Sequence, residues 1–185
     1  MLRPALALTR ADGLDTPELL GARFGPDEFR RTLGRFATGI TLVTASDEDG
    51  SIGLLVNAFT SVSLDPPLVA ICPSRSSFTW SRMRACNVLG VNVLAAEHAA
   101  YVRRAAQRDA DRFAGLDYEL RDSGVPQVHS AIAFLECQII SEQPAGDHWI
   151  VVARVRELVV DGGREPLVFS DGRLGSFTSM AGQGK

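Results

Sequence analysis

The sequence predicts a mainly β fold with inserted helices, an antiparallel barrel of Greek-key type. Three observations carry that expectation. Roughly seven apolar, β-branched runs recur along the chain, and most are joined by turns of hairpin length rich in Gly, Asp and Pro. Only two or three helical patterns interrupt them. No strand–helix–strand rhythm occurs, which disfavours a doubly wound parallel sheet.

Residues 1–24 lack firm periodicity and read as an N-terminal extension, with one helix-starting pattern at Thr16-Pro17-Glu18-Leu19-Leu20. The domain runs over residues 25–178, and residues 179–185 are a tail. Pro26 suits a first helical position and Asp27 and Glu28 complement the helix dipole in the first turn. Phe29, Leu33 and Phe36 fall at i, i+4 and i+7, which predicts an amphipathic helix laid against the core and stopped by Gly39. Ile40 to Ala45 alternates apolar residues with threonine. Asp47-Glu48-Asp49-Gly50 then turns the chain into a strand over Ser51 to Ala58, giving a hairpin.

Leu68 to Cys72 is strand-like again. Pro66 and Pro67 withhold backbone donors and bias the residues before them toward extended geometry. Phe59 to Ser63 is therefore expected at the rim of a sheet, its hydroxyls and N–H groups facing a cleft. A short helix follows, through about Ala85, capped by Ser76 or Ser77; unpaired N–H groups beside hydroxyls and Arg75 read as an anion site. Val88 to Leu94 predicts a strand carrying Asn92, whose amide is assigned to tying down a neighbouring loop. Glu97 to Gln107 reads as a helix with Arg103, Arg104 and Arg108 outward, and Asp109 to Gln127 as a loop. Two long strands flank the turn Gln143 to His148. In the first, Ala133, Leu135, Cys137 and Ile139 share a face; in the second, Val151, Ala153 and Val155 do. Asp161-Gly162-Gly163 turns the chain, and Pro166 to Thr178 closes it with a hairpin.

Composition excludes several classes. The net charge of −3 and short runs of like charge give no reason to expect nucleic acid. The apolar patch Ala5 to Leu8 is broken by Arg10 and Asp12, too short for a signal peptide, and no window reaches the length of a membrane helix. Cys72, Cys86 and Cys137 are scattered and odd in number, which points to free thiols in a reducing, cytoplasmic setting. There is no GxGxxG or Walker loop and no G-x-S-x-G elbow, and His98, His129 and His148 lack metal-ligand spacing, so no metal is expected.

The stretch Gly53 to Leu68, GLLVNAFTSVSLDPPL, resembles the signature of the flavin reductase-like family, G-[LM]-T-[VA]-N-[SA]-F-[TS]-S-V-S-x-x-P-P-L, with Leu55 departing from the frequent Thr. Further matches follow in family order: Ser76-Ser77-Phe78-Thr79, Val91 to Leu94, Asp111-Arg112-Phe113, Leu135-Glu136-Cys137 and Gly146-Asp147-His148. The resemblance covers roughly Phe29 to Ser176. It implies an FMN-binding split barrel, a homodimer, and reduction of FMN or FAD by NADH or NADPH, with reduced flavin passing by diffusion to a flavin-dependent monooxygenase. It also implies site residues. Val56, Asn57, Ala58, Phe59, Thr60 and Ser61 would lie against the flavin ring, Cys72 along the ribityl chain, and Ser76, Ser77, Thr79, Arg112 and Phe113 about the phosphate. His148 would sit near the flavin edge or the nicotinamide, in a positioning role.

Taken singly, each residue keeps an ordinary reading: Asn57 satisfying a turn, the serines capping a helix, Arg112 in a surface ion pair, His148 a loop residue. Two other functions stay open at this level. One is a flavoprotein that retains its flavin and reduces a quinone, a nitro compound or iron; the other is a non-catalytic flavin- or haem-binding module.

Overall fold

The computed structural model describes residues 24–107 and 110–180, so the readings for residues 1–23, Arg108, Asp109 and residues 181–185 lie outside the described residues. Helix α1 (Pro26–Leu33) begins as expected, with Pro26 at its start and Asp27 and Glu28 in its first turn. Its expected packing is not observed. None of its residues is buried, and Phe29 and Leu33 are 51% and 55% exposed, with Phe36 beyond it at 76%. The helix also stops at Gly34, whose N–H donates to Arg30 O at 2.9 Å, five residues before Gly39. Its link to the barrel runs through Gly34 O, which accepts from Asp171 N at 2.7 Å. Other elements fill the core that this apolar stripe was expected to cover.

Strand β1 (Thr38–Gly39) is followed by the β2 (Thr41–Asp47) and β3 (Gly50–Val56) hairpin, paired in register from Thr41–Val56 to Asp47–Gly50. Gly50 sits at φ +114°, a conformation open to glycine that closes the tight turn. Next come β4 (Phe59–Leu64), a turn with a cis Asp65–Pro66 bond, and β5 (Pro67–Ile71). After α2 (Phe78–Met83) the chain forms β6 (Val88–Val93), a single 3-10 turn at Ala96–His98, and α3 (Ala99–Ala105). The long strands β9 (Ala133–Ala145) and β10 (His148–Val160) are joined by Gly146-Asp147 alone, so the expected six-residue turn is mostly strand. The hairpin β11 (Leu167–Ser170) and β12 (Arg173–Ser176) pairs with β1 in a separate three-stranded sheet.

Two expectations are corrected here. The segment Asp109 to Gln127 is not all loop, because Tyr118–Leu120 (β7) and Pro126–Val128 (β8) form a small antiparallel pair. Strands of three residues are too short to show a period of two. The expected helix over Glu97 to Gln107 begins as the 3-10 turn, because the His98 ring folds back to accept from Ala95 N at 3.0 Å.

The seven-stranded sheet has the order β3-β2-β6-β9-β10-β5-β4. Strands β3 and β4 are thus its two opposite edges, yet only Asn57 and Ala58 separate them in sequence. Laid flat, those edges would stand about 29 Å apart at ~4.8 Å per strand. Three peptide steps reach at most about 11 Å. The sheet must therefore curl until its edges nearly meet, and it is left unsealed along the seam at Asn57-Ala58. This is a split barrel.

Inside, Val43, Ile52, Val56, Ile71, Trp80, Met83 and Val151 form one apolar cluster beneath α2; Ile40, Leu42, Leu94, Val102 and Leu167 form another beneath α3. Asn92 is fully buried. Its Nδ2 donates to Leu42 O at 3.1 Å and Thr44 Oγ1 at 3.2 Å, and its Oδ1 accepts from Val128 N at 2.8 Å. The strand amide does tie a neighbouring segment, β8, onto the barrel.

His98 is 5% exposed. With Ala95 N–H donating to Nδ1, the ring proton sits on Nε2 and donates to Ser130 Oγ at 2.7 Å. Burial pushes the His98 pKa below its ordinary value, outweighing the opposite pull of the Ala95 carbonyl. The folded state therefore binds this proton less readily than the unfolded chain, and the stability tied to a neutral His98 is present above about pH 6.5 and lost as pH falls below it. Thermal midpoints at pH 7 and pH 5 should differ more for the parent protein than for His98→Gln; equal differences would show that the ring is not the titrating group.

Candidate functional site

Strand β4 pairs with β5 on one side only, so its other edge presents backbone N–H and C=O groups at the seam. A bulge between Ser61 and Ser63 shifts the register and twists this edge. Asn57, Ala58, Thr60 and Ser61 are exposed along it, while Val56 and Phe59 turn inward onto the apolar cluster that includes Ile71. Leu55, in place of the frequent Thr, packs against the cluster beneath α3. Cys72 follows the end of β5, and its N–H donates to Ala58 O at 3.1 Å, which pins the seam to the start of the serine segment. Burial pushes the Cys72 thiol up, so it stays protonated and serves as a small apolar group.

From Cys72 the chain runs directly to Ser76, Ser77 and Thr79. Ser77 caps α2, its Oγ accepting from Trp80 N at 3.1 Å. Ser76 is exposed and its Oγ lies 2.9 Å from Ser74 Oγ. Thr79 faces an open cleft of about 170 Å³ between α2, β3 and the Asp111–Phe113 segment, lined by Ser51, Ile52, Gly53, Phe78, Thr79, Arg82, Asp111, Arg112 and Phe113. Gly53 makes this closeness possible. A Cβ there would lie 2.9 Å from Arg112 Cβ and 3.4 Å from the Phe113 ring.

Arg112 forms no ion pair among the described residues. Its Nη1 donates to Ala110 O at 2.9 Å and Gln107 O at 3.2 Å, and its own carbonyl accepts from Tyr101 Oη at 2.7 Å. These bonds fix the guanidinium at the cleft wall with Nε and Nη2 left over among the described residues. Phe113 leans on Tyr118, ring centroids 4.8 Å apart.

His148 opens β10 and is exposed, with Nδ1 2.7 Å from Asp147 Oδ1; the imidazole holds the Asp147 carboxyl below the usual carboxylate range. Several bonds fasten this hairpin to the serine segment. Trp149 N donates to Pro73 O at 2.9 Å, Arg75 N to Asp147 O at 2.9 Å, and Arg75 Nη1 to Gly146 O at 3.0 Å. The fold thus brings the expected residues into three adjoining places. The seam holds Asn57 to Ser61 and Cys72. The serine segment meets His148. The cleft holds Thr79, Arg112 and Phe113. No buried acid or base stands among them, so the arrangement offers fixed donors beside a cleft lined by two guanidiniums, Arg82 and Arg112, and the Asp111 carboxylate.

Residues 33–178 match the family described as "Flavin reductase like domain". The chain belongs to the flavin reductase-like family. It is 42% identical over 164 residues to "Flavin reductase" of Pseudomonas putida, covering 88% of this chain and 96% of that one. It is 36% identical over 148 residues to the reductase subunit HsaB of a flavin-dependent monooxygenase from Rhodococcus jostii, covering 80% of this chain and 76% of the relative. Among solved structures, the NADH:FAD oxidoreductase SgcE6 of Streptomyces globisporus, in complex with NAD and FAD fragments, superposes with a TM-score of 0.79 at 36% identity, covering 84% of this chain and 94% of that one.

Within this flavin reductase-like barrel, two residues that the motif reading does not single out also line the cleft, and Arg75, read as part of an anion site, takes a structural role. Arg82 follows Thr79 by three positions on α2 and lines the same cleft, and that helical spacing was the available signal. Gly53 belongs to the signature stretch, and its missing side chain also admits the Arg112 segment. Arg75 anchors the serine segment to the His148 hairpin and stacks its guanidinium over Trp149, 5.5 Å from the ring centre. Nothing in the local sequence announces that contact.

Proposed function

We propose that this protein is an NAD(P)H:flavin oxidoreductase that reduces FMN or FAD and supplies reduced flavin to a separate flavin-dependent monooxygenase. The observation that carries the reading is the seam: the signature stretch falls where the seven-stranded sheet is unsealed, near a cleft lined by two guanidiniums and the hydroxyls of Ser51 and Thr79. Hydroxyl and guanidinium donors suit a phosphate, and an exposed β-edge suits the polar rim of a flat ring. When bound, the flavin supplies the two-electron chemistry, accepting hydride from the nicotinamide. The chain's own work is to hold and orient. Backbone N–H groups over Asn57 to Ser61 face the ring's polar rim, Ser76, Thr79 and Arg112 hold the phosphate, and Cys72 lines the path between. His148, steadied by Asp147, positions the nicotinamide or balances charge.

A homodimer fits the exposed apolar surface. Leu64 on the β4 edge is 93% exposed and Phe36 beside α1 is 76% exposed, side chains that a second copy would cover. Reduced flavin reaches the monooxygenase by diffusion, with no stable complex needed. Among the described residues no helix is long and apolar enough to cross a membrane. The three free thiols suit a cytoplasmic location.

The deciding experiment is steady-state oxidation of NADH and NADPH under low oxygen with FMN, FAD or no added flavin. Turnover that saturates with flavin and accumulates free reduced flavin supports the reading; no flavin-dependent turnover refutes it. His148→Ala should raise the KM for the nicotinamide nucleotide or slow reduction about tenfold, while flavin affinity changes little. Unchanged kinetics would remove His148 from the site.

A further inference from the structure

The cleft continues past Thr79. Arg82 lies one helical turn farther along α2, about 4.5 Å along the axis for three residues. The Asp47 carboxylate clamps it: Arg82 Nε donates to Oδ2 at 3.0 Å, and Nη2 lies 2.8 Å from both oxygens. Asp49 adds a carboxylate oxygen 3.6 Å from Nη2. These contacts use Nε and Nη2, while Nη1 makes no hydrogen bond among the described residues. The guanidinium is thus held in place, with its side chain one-third exposed (33%) and one terminal nitrogen left for a ligand.

Arg112 stands across the same cleft, also with nitrogens to spare. Space for one water needs about 10–15 Å³ of such volume. At about 170 Å³ this cleft has room for far more than one phosphate. Phe78, 76% exposed at its border, offers a ring of the kind on which a nucleobase stacks.

We propose that Arg82 binds the second phosphate of a flavin dinucleotide and gives this protein a preference for FAD over FMN. The proposal rests on the flavin reductase reading above and names the substrate class of that same site. Thr79 and Arg112 serve the phosphate common to both flavins; Arg82 serves the one that FMN lacks. Asp47 is a positioning residue, since it touches the guanidinium and not the ligand. Asp47, Asp49 and Asp111 together offset the charge of Arg82 and Arg112, so the preference arises from directed hydrogen bonds more than from a long-range field.

The test is equilibrium titration of the flavin-free full-length protein with FMN and with FAD, followed by flavin fluorescence. The parent protein should bind FAD more tightly than FMN. Arg82→Gln should weaken FAD about tenfold, the size of one charge-assisted hydrogen bond, with FMN affinity moving less than twofold. Arg82→Lys should fall between, since an ammonium restores charge without the planar fork. Unchanged FAD affinity, or equal weakening of both flavins, overturns the proposal. If Arg82→Gln does not fold, Asp47→Asn replaces it: FAD affinity should fall severalfold with FMN unmoved, and equal changes overturn the assignment. A parent protein that binds FMN and oxidises NADH with it but shows no preference for FAD overturns this inference and leaves the reductase reading standing. A parent protein that binds neither flavin overturns both.

Discussion

Arg112→Ala is expected to raise the flavin dissociation constant about 30- to 100-fold, a loss of ~2–3 kcal/mol, the range for a charge-assisted bond to phosphate. The size follows from preorganisation. Arg112 Nη1 is already engaged with Ala110 O at 2.9 Å and Gln107 O at 3.2 Å, so little side-chain freedom remains to be lost on binding. Its stem rests against Gly53, where any Cβ would approach Arg112 Cβ to 2.9 Å, so the strand beneath also holds it. Both FMN and FAD should weaken together, which separates this residue from Arg82. Arg112→Lys should recover part of the affinity, because it keeps the charge and loses the bonds that hold the segment. Fluorescence titration reads both variants. A change below twofold would return Arg112 to a purely structural role, fastening the loop.

Gly90→Ala is expected to destabilise the protein by at least ~3 kcal/mol, lowering the thermal midpoint by about 10 °C. Gly90 lies in β6 between β2 and β9, and a Cβ there would stand 2.4 Å from Thr44 Oγ1, 2.7 Å from Val125 Cγ1 and 2.8 Å from the Phe134 ring. None of these neighbours can yield easily. Thr44 Oγ1 donates to Pro126 O at 2.6 Å and accepts from Asn92 Nδ2 at 3.2 Å, and it is fully buried. Moving it would break the buried network that ties β8 to the barrel and leave polar groups unpaired, which adds to the overpacking cost. Denaturant unfolding with an unchanged m-value and a lower midpoint would confirm the effect. A midpoint within 2 °C of the parent would mean that the barrel relaxes around the methyl group.

Several features of the fold are legible in the sequence alone. The hairpin of Thr41–Asp47 with Gly50–Val56 follows from alternation and an acidic turn ending in glycine, and Ser77 caps α2 in the structure. These are local properties: neighbouring residues alone determine a tight turn or a cap. The candidate site was legible through a contiguous motif, Gly53 to Leu68, and through short matches that the fold gathers around one seam and one cleft.

Other readings failed where distant parts of the chain decide. Phe29 and Leu33 do fall on a helix, which ends before Phe36, but periodicity marks an apolar face without saying what covers it, and the barrel's own core is already filled. Strands β7 and β8 are each three residues long, and what makes them strands is their pairing with each other, as Asn92 anchors β8. The place of Arg82 at the cleft depends on Asp47, thirty-five positions earlier in the chain, whose carboxylate clamps its guanidinium.

By itself the sequence determined the mainly β class, the family, the turns and the stretch that carries the function, because each is written in neighbouring residues. Only the tertiary structure decided that β3 and β4 are opposite edges joined by Asn57 and Ala58, that Gly53 and Gly90 are places where another segment needs the room of a side chain, and that Arg82 and Arg112 share one cleft. The physical reason is that strand order and close approach arise from contacts between residues far apart in the chain, and a linear pattern does not record which segment fills the space beside another.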